Sequence, residues 1–223
     1  SAQKLGVDNV SLSNVHGRFQ EPQGFVDLVA LYRDAGLTIS NIGVVQLSGD
    51  EKADRNPFEF ARLAGTKILA VNFKPKGFEA ASEMAQRLAE EYEVHCGIHN
   101  HGGYHWLGNS EILAHVFENS GPRLGLFLDT AWALAAGEDP VKMARRFGER
   151  LYGIHLKDFI FNRTGKPEDV VVGTGGLDLP AFVRTVEEVG FSGSCTLEYE
   201  AEPENPLPAL LQCAEAIRAV KIA

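Results

Sequence analysis

Seven short apolar runs recur along the chain, each rich in β-branched residues and bounded by Gly, Asn or Asp. They begin at Val7 (VDNVSLS), Leu37 (LTISNIGV), Lys67 (KILAVNF), Val94 (VHCGIH), Arg123 (RLGLFLD), Leu151 (LYGIHLKD) and Ser194 (SCTLEYE). Runs of this kind read as strands. The first six start roughly 27 to 30 residues apart and the last gap is about 43. A strand with its crossover helix takes about 30 residues, so the spacing is that of βα units. The intervening segments FVDLVALYRDAG (25–36), FEAASEMAQRLAEEY (78–92), SEILAHVFENSG (110–121), PVKMARRFG (140–148) and LPAFVRTVEEVG (179–190) carry apolar residues three and four apart, the period of an amphipathic helix. Gly closes several of them, as is usual just past a helix, and Ser110 reads as an N-cap.

A uniform βα order implies a parallel sheet, and the closed solution is a (β/α)8 TIM barrel. The opening AQKLGVDNV parallels YRDAGLTIS and FARLAGTKI, each the end of a helix running into a strand. The barrel is therefore expected to lack its first strand and most of its first helix in this chain. An open seven-stranded sheet is the alternative. No linker or low-complexity segment interrupts residues 1–223, which read as one domain. The Gly-rich stretch DVVVGTGGLDL (169–179) either approaches a ligand closely or makes turns. The tail from Pro203 reads as a Pro-rich entry to a final helix.

Composition narrows the possible partners. The chain is 44% hydrophobic and 23% charged, with a formal charge of −9. An acidic surface repels a phosphate backbone, which argues against nucleic acid, whereas an acidic pocket suits a divalent cation. No apolar run approaches the ~18 residues of a membrane span. A cytoplasmic location is expected, with a signal peptide not excluded. Three cysteines make no disulfide framework, and Cys96, Cys195 and Cys213 are expected to be reduced in a packed interior. A barrel missing a strand could bury its gap in a homo-oligomer.

Strand parity points to a site. Residues two apart share a strand face, so His95, Gly97, His99 and His101 lie together. So do Gly125, Phe127 and Asp129, then Gly153, His155 and Lys157, and then Thr196, Glu198 and Glu200. The small residues suit a crowded barrel interior, and the polar ones fall at the carboxyl edge, where parallel α/β folds bind ligands. Four successive strands thus present His99, Asp129, His155 and Glu198. Singly, each has a plain alternative: a hydrogen-bonded core histidine, or an Asp that caps a helix. Together they form a candidate site for one divalent ion, and mixed nitrogen and oxygen ligands suit Mn, Fe, Co or Zn better than Ca.

The segments GIHNHGG, GLFLDTAWALAAGEDP, YGIHLKDF and CTLEYE together resemble the xylose isomerase-like TIM barrels. That superfamily includes sugar phosphate isomerases and epimerases, ketose 3-epimerases, inosose dehydratase and an apurinic endonuclease branch. The resemblance is best from Gly97 onward, and the repeat spacing extends it over the chain. It implies one divalent metal (Mn, Mg, Co, Fe or Zn) held by His99, Asp129, His155 and Glu198. One departure stands out. Where the superfamily usually has Glu-Asn-His, this chain has His99-Asn100-His101, a form shared by a subset of sugar isomerase-like members. In the epimerases two ligand glutamates work as an acid/base pair, and here only Glu198 corresponds to one of them.

The resemblance implies a small sugar or keto-sugar substrate and metal-assisted enolisation by an isomerase or epimerase. Glu198 or His101 would move the proton and Lys157 would stabilise the enolate; a salt bridge to Asp158 or Glu200 is the structural alternative for Lys157. His105 and Trp106 follow in a Gly-rich loop and are candidates for substrate contact, although Trp106 could equally be packing. Trp132 reads as a pocket wall, His16 as the opposite rim, and Asn72 and Lys74 as hydroxyl or phosphate contacts. A lyase of the inosose dehydratase or keto-glycoside eliminase type is the alternative, since it needs the same enolate. A DNA-directed phosphodiesterase conflicts with the charge, and a non-catalytic member of the family is the remaining reading.

Overall fold

The computed structural model describes residues 2–103 and 105–222. Strands β1 (Asn9–Leu12), β2 (Thr38–Leu47), β3 (Ile68–Phe73), β4 (His95–His99), β5 (Leu124–Asp129) and β6 (Leu151–Leu156) pair in parallel, in chain order. An antiparallel hairpin of β7 (Asp158–Phe161) and β8 (Pro167–Val170) follows. Strand β9 (Ser194–Leu197) then joins the main sheet beside β6. Helices occupy the five segments read from the sequence, to within a few residues, and the expected final helix spans Leu207–Ile222, with others at Glu51–Ala64 and Thr130–Ala135. Their buried faces follow the helical period: Ala81, Met84, Ala85, Leu88 and Ala89 all come from one helix.

The sheet curls into a nearly closed barrel of seven parallel strands, not an open sheet. Its ends, β1 and β9, do not pair with each other. Polar side chains staple the opening instead. The fully buried Asn41 amide donates to Ser194 Oγ at 2.7 Å and to Thr196 Oγ1 at 3.1 Å. A cavity of about 760 Å³ lies beside this opening, lined by Val10, Leu156, Phe182, Leu210 and Ile217 among others.

Strand register builds the floor of the barrel mouth. His99 pairs with Phe127, Phe127 with Gly153, and Gly153 with Ser194. One step further on, Asp129 pairs with His155 and His155 with Thr196. Phe127 is fully buried, and its ring needs the space that two glycines leave. A Cβ on Gly153 would sit 2.3 Å from Phe127 Cε2, and one on Gly97 would sit 2.8 Å from Phe127 Cβ. Overpacking a close-packed core costs about 1–3 kcal/mol. Gly153→Ala is accordingly expected to lower stability by that amount in urea unfolding; an unchanged midpoint would show that the Phe127 layer is slack.

Several local readings are corrected. Asn109, not Ser110, caps its helix, because the Asn109 carboxamide oxygen accepts from the Glu111 and Ile112 N–H groups. Ser110 turns instead to the Glu138 carboxylate. The glycines of 169–179 make a turn: the N–H groups of Gly173, Gly175 and Leu177 donate to the Asp158 carboxylate at 2.9–3.0 Å. That commitment also removes Asp158 as the partner of Lys157. Cys96 and Cys213 are buried but Cys195 is exposed, and none forms a disulfide. No helix among the described residues is long and apolar enough to cross a membrane.

Candidate metal centre

Three of the four predicted groups close on one point. His99, Asp129 and His155 are all buried, and each offers a ligand atom within 4.8 Å of the other two. His99 Nε2 lies 3.2 Å from His155 Nδ1 and 3.5 Å from Asp129 Oδ2, and His155 Nδ1 lies 3.9 Å from Asp129 Oδ2. Glu198 joins from the side, with Oε2 2.7 Å from His155 Nδ1. Ligand bonds of ~2.1 Å in a tetrahedron put neighbouring donor atoms about 3.4 Å apart. The cluster has nearly that spacing, with only the Glu198 edge drawn in.

Each of these groups owes its place to local chain geometry. Asp129 ends β5 and caps the following helix, its Oδ1 accepting from the Trp132 N–H at 2.8 Å. Its Oδ2 is buried with no hydrogen-bond partner among the described residues. Leaving a buried acceptor unpaired costs about 1–3 kcal/mol, and more for a charged one. A cation in the cradle would satisfy that oxygen, so the donor set fits the metal that the sequence implies. Burial pushes the His99 pKa down, against the opposing pull of the nearby Asp129 carboxylate. Burial thus favours the neutral ring, the form that ligates.

Glu198 and Lys157 form the second part of the site. β9 stops at Leu197, yet the Glu198 N–H still bonds the Leu156 carbonyl at 3.2 Å. Strand parity thus continues past the last ladder pair, and Glu198 and Glu200 both reach Lys157. The Lys157 side chain is completely buried. Its Nζ is 3.2 Å from Glu198 Oε1 and 3.7 Å from Asp169 Oδ2, and it donates to Glu200 Oε2. It also lies 5.5 Å from the Phe159 ring centroid and 6.0 Å from that of Trp132. Burial works to raise the Glu198 pKa, but the His155 hydrogen bond and the positive charge of neighbours such as Lys157 outweigh it. The carboxyl is held well below the usual range.

The outer residues separate into two groups. His101 stacks on Trp132 with ring centroids 3.8 Å apart, and it lies 6.4 Å from His99 and 5.8 Å from His105. His105 in turn meets Asn72. Trp106 packs edge-on against Phe78 and gives its indole N–H to the Phe73 carbonyl. His16 is exposed after β1, where its Nδ1 accepts from the Ser13 N–H at 3.1 Å. Lys74 is exposed beyond β3.

Other contributors escape a search for ligands. Asn100, fully buried between two histidines, clamps the Asp129 backbone: it donates to the Asp129 carbonyl at 3.0 Å and accepts from the Asp129 N–H at 2.8 Å. Thr130 ties the ends of β5 and β6 by accepting from the Lys157 N–H at 3.0 Å. Asp169 comes from the hairpin, which the short run around Phe159 did not announce. Its carboxylate holds the Glu200 N–H at 3.2 Å, while its other oxygen is buried and unpaired among the described residues. The outward parity of Asn100 was the one available signal.

Comparison with known proteins bears on the fold. A rhizopine catabolism protein of Rhizobium meliloti, MocC, is 26% identical over 141 residues, 57% of this chain and 43% of that protein. The 3-oxo-isoapionate decarboxylase of Pectobacterium atrosepticum is 28% identical over 132 residues, 56% of this chain and 47% of that enzyme. The matched stretches thus span about half the length of these curated relatives. The crystal structure of a xylose isomerase domain protein from Planctomyces limnophilus superposes with a TM-score of 0.76 at 21% identity, covering 99% of this chain and 89% of that one. A sugar phosphate isomerase/epimerase from Parabacteroides distasonis superposes with a TM-score of 0.72 at 18% identity, covering 97% and 85%. The family model for the xylose isomerase-like TIM barrel matches residues 1–221, and the chain belongs to that family.

Proposed function

We propose that this chain is a divalent-metal-dependent enzyme that enolises a keto-sugar or a related polyhydroxy carbonyl compound with one carboxylate base. The reading rests on one observation: four ligand-type groups converge at the barrel mouth around an Asp129 oxygen that is buried and unpaired. His99, Asp129, His155 and Glu198 would hold a divalent ion, which when bound would supply Lewis acidity at the site. The residues do the rest. Glu198 takes or returns a proton at a carboxylate oxygen. Lys157, 3.2 Å from its Oε1, keeps it ionised. The Lys157 ammonium also faces negative charge that develops on a substrate oxygen, in a site floored by the Phe127 ring.

The single carboxylate separates the possible reactions. Epimerisation by two groups needs a base on each face of the carbon. Across the cluster from Glu198 stands His99, neutral and committed to the cradle. One base suffices for a lyase that expels carbon dioxide or a β-oxygen, and the match to a decarboxylase favours that branch. One base also suffices to carry a proton between adjacent carbons, which keeps sugar isomerisation as the second reading.

The test has two parts. Adding Mn²⁺ to the metal-free protein is expected to raise the melting temperature with one ion bound per chain, and no binding by calorimetry would refute the reading. Keto-sugars and oxo sugar acids incubated in deuterated water then sort the branches by product mass. Loss of water or carbon dioxide marks a lyase, and unchanged composition with one deuterium marks an isomerase. His99→Glu restores the second carboxylate. It is expected to hold Mn²⁺ within about tenfold of wild type, by analogy with changes around metal ligands, and to gain exchange on the opposite face of the carbon. Collapse of the fold would mark His99 as structural.

A further inference from the structure

Beyond the cradle, the structure assigns a fixed chemical role to a second pair: Asn72 sets the tautomer of His105, which makes His105 a neutral hydrogen-bond donor for an uncharged substrate oxygen. This inference deepens the metal-enolisation reading and rests on it for the identity of the ligand.

The argument starts at the end of β3. Asn72 Oδ1 accepts from the Phe73 N–H at 2.7 Å. An N–H can meet only an acceptor, so the amide orientation is decided: oxygen toward Phe73, nitrogen outward. The backbone around it is held on both sides. The Asn72 carbonyl accepts from Gln46 Nε2 at 3.0 Å, and the Phe73 carbonyl accepts from the Trp106 indole N–H at 3.0 Å. The outward Nδ2 lies 3.1 Å from His105 Nε2. An amide nitrogen only donates, so His105 Nε2 must present its lone pair. In a neutral imidazole the proton then resides on Nδ1. A doubly protonated ring would set an N–H against an N–H at this contact and is disfavoured.

The resulting Nδ1–H is stranded, for Nδ1 is buried and has no partner among the described residues. Its ring stands next in a file of three that leads out from the cradle, 5.8 Å from His101, which is itself 6.4 Å from His99. Burial, with the neighbouring His101 and His99, also pushes the His105 pKa down, consistent with a neutral ring. A neutral donor recognises a hydroxyl or carbonyl oxygen without the charge that a phosphate would call for.

The test is a long-range ¹H–¹⁵N correlation on the metal-free, ¹⁵N-labelled protein, with His105 assigned by its loss in His105→Gln. The expected spectrum shows a protonated Nδ1 and a bare Nε2, and a protonated Nε2 would overturn the assignment. Asn72→Asp replaces the donor by an acceptor and is expected to move the proton to Nε2; packing alone would not do this, and an unmoved tautomer would also overturn it. With Mg²⁺ present, saturating xylitol is expected to shift the Nδ1–H resonance, and His105→Gln to weaken xylitol binding roughly three- to tenfold, the worth of one hydrogen bond. A resonance that xylitol leaves unmoved would refute the donor role. Failure of the metal reading looks different: no divalent ion binds, while the His105 tautomer stays as assigned.

Discussion

Asp129→Asn is expected to leave the metal-free barrel folded and to abolish nearly all of its stabilisation by a divalent cation. The two carboxylate oxygens do different jobs. Oδ1 caps a helix by accepting from the Trp132 N–H, and the asparagine oxygen can keep that bond. Oδ2 is buried with no hydrogen-bond partner among the described residues, and the amide removes a buried carboxylate oxygen beside two imidazoles. The apo protein should therefore be as stable as wild type, or slightly more so. The holo protein should differ sharply. Ion at a hundred times its dissociation constant stabilises the native state by about 2.7 kcal/mol. Changes in residues that only support a metal ligand cost 10–100-fold in affinity, so a loss of about a hundredfold on removing a ligand oxygen is a conservative expectation. At the same ion concentration the stabilisation then falls to about 0.4 kcal/mol. For a chain of this size, each kcal/mol is worth about 2–4 °C in melting temperature. Thermal scans with and without Mn²⁺ would thus show a shift of several degrees in wild type and almost none in the variant. A full shift in the variant would place the cation elsewhere.

The barrel and the convergence of the candidate groups were legible in the sequence because both follow from periods. Spacing of about 30 residues fixed the βα order, and the two-residue alternation of strands selected His99, Asp129, His155 and Glu198 without knowledge of any contact. Parity also put Glu200 on the face of Glu198, and both do reach Lys157. Features outside those periods were hidden. The hairpin of β7 and β8 is short and antiparallel, and its Asp169 arrives at Lys157 from a part of the chain with no repeat to index it. The Asn109 cap was missed because Ser and Asn are adjacent and both favour the position; which one caps depends on where Ser110 finds another partner, here Glu138. The uses of Trp132 and Trp106 differ for a similar reason. Composition shows two large rings near polar residues, whereas only the fold puts one ring against His101 and the other edge-on to Phe78.

Glu198→Gln tests the chemistry separately from the cradle. The amide keeps an oxygen for the ion but has no lone pair basic enough to take a carbon-bound proton. A positioned acid/base group contributes typically 10²–10⁴-fold, so turnover, or deuterium exchange into a responsive keto-sugar, is expected to fall by about that factor while Mn²⁺ still raises the melting temperature. The fold should survive, because Lys157 retains Glu200 and Asp169 as partners. Metal-free stability provides a second readout, with a definite sign. Although burial opposes ionisation, the bond from His155 and the nearby positive charges hold the Glu198 carboxyl below its ordinary pKa in the folded state, while in the unfolded chain it titrates near the usual value of about 4.3. Its ionised form therefore stabilises the protein above that pH, and the contribution is lost as pH falls toward the folded-state value. The stability advantage of wild type over Glu198→Gln should accordingly be constant around neutrality and shrink below about pH 4.3. If the advantage were independent of pH in that range, the ion-pair network around Glu198 would not be what holds it. If turnover were unchanged in the variant, the base would have to be sought in the file of histidines outside the cradle, beginning with His101.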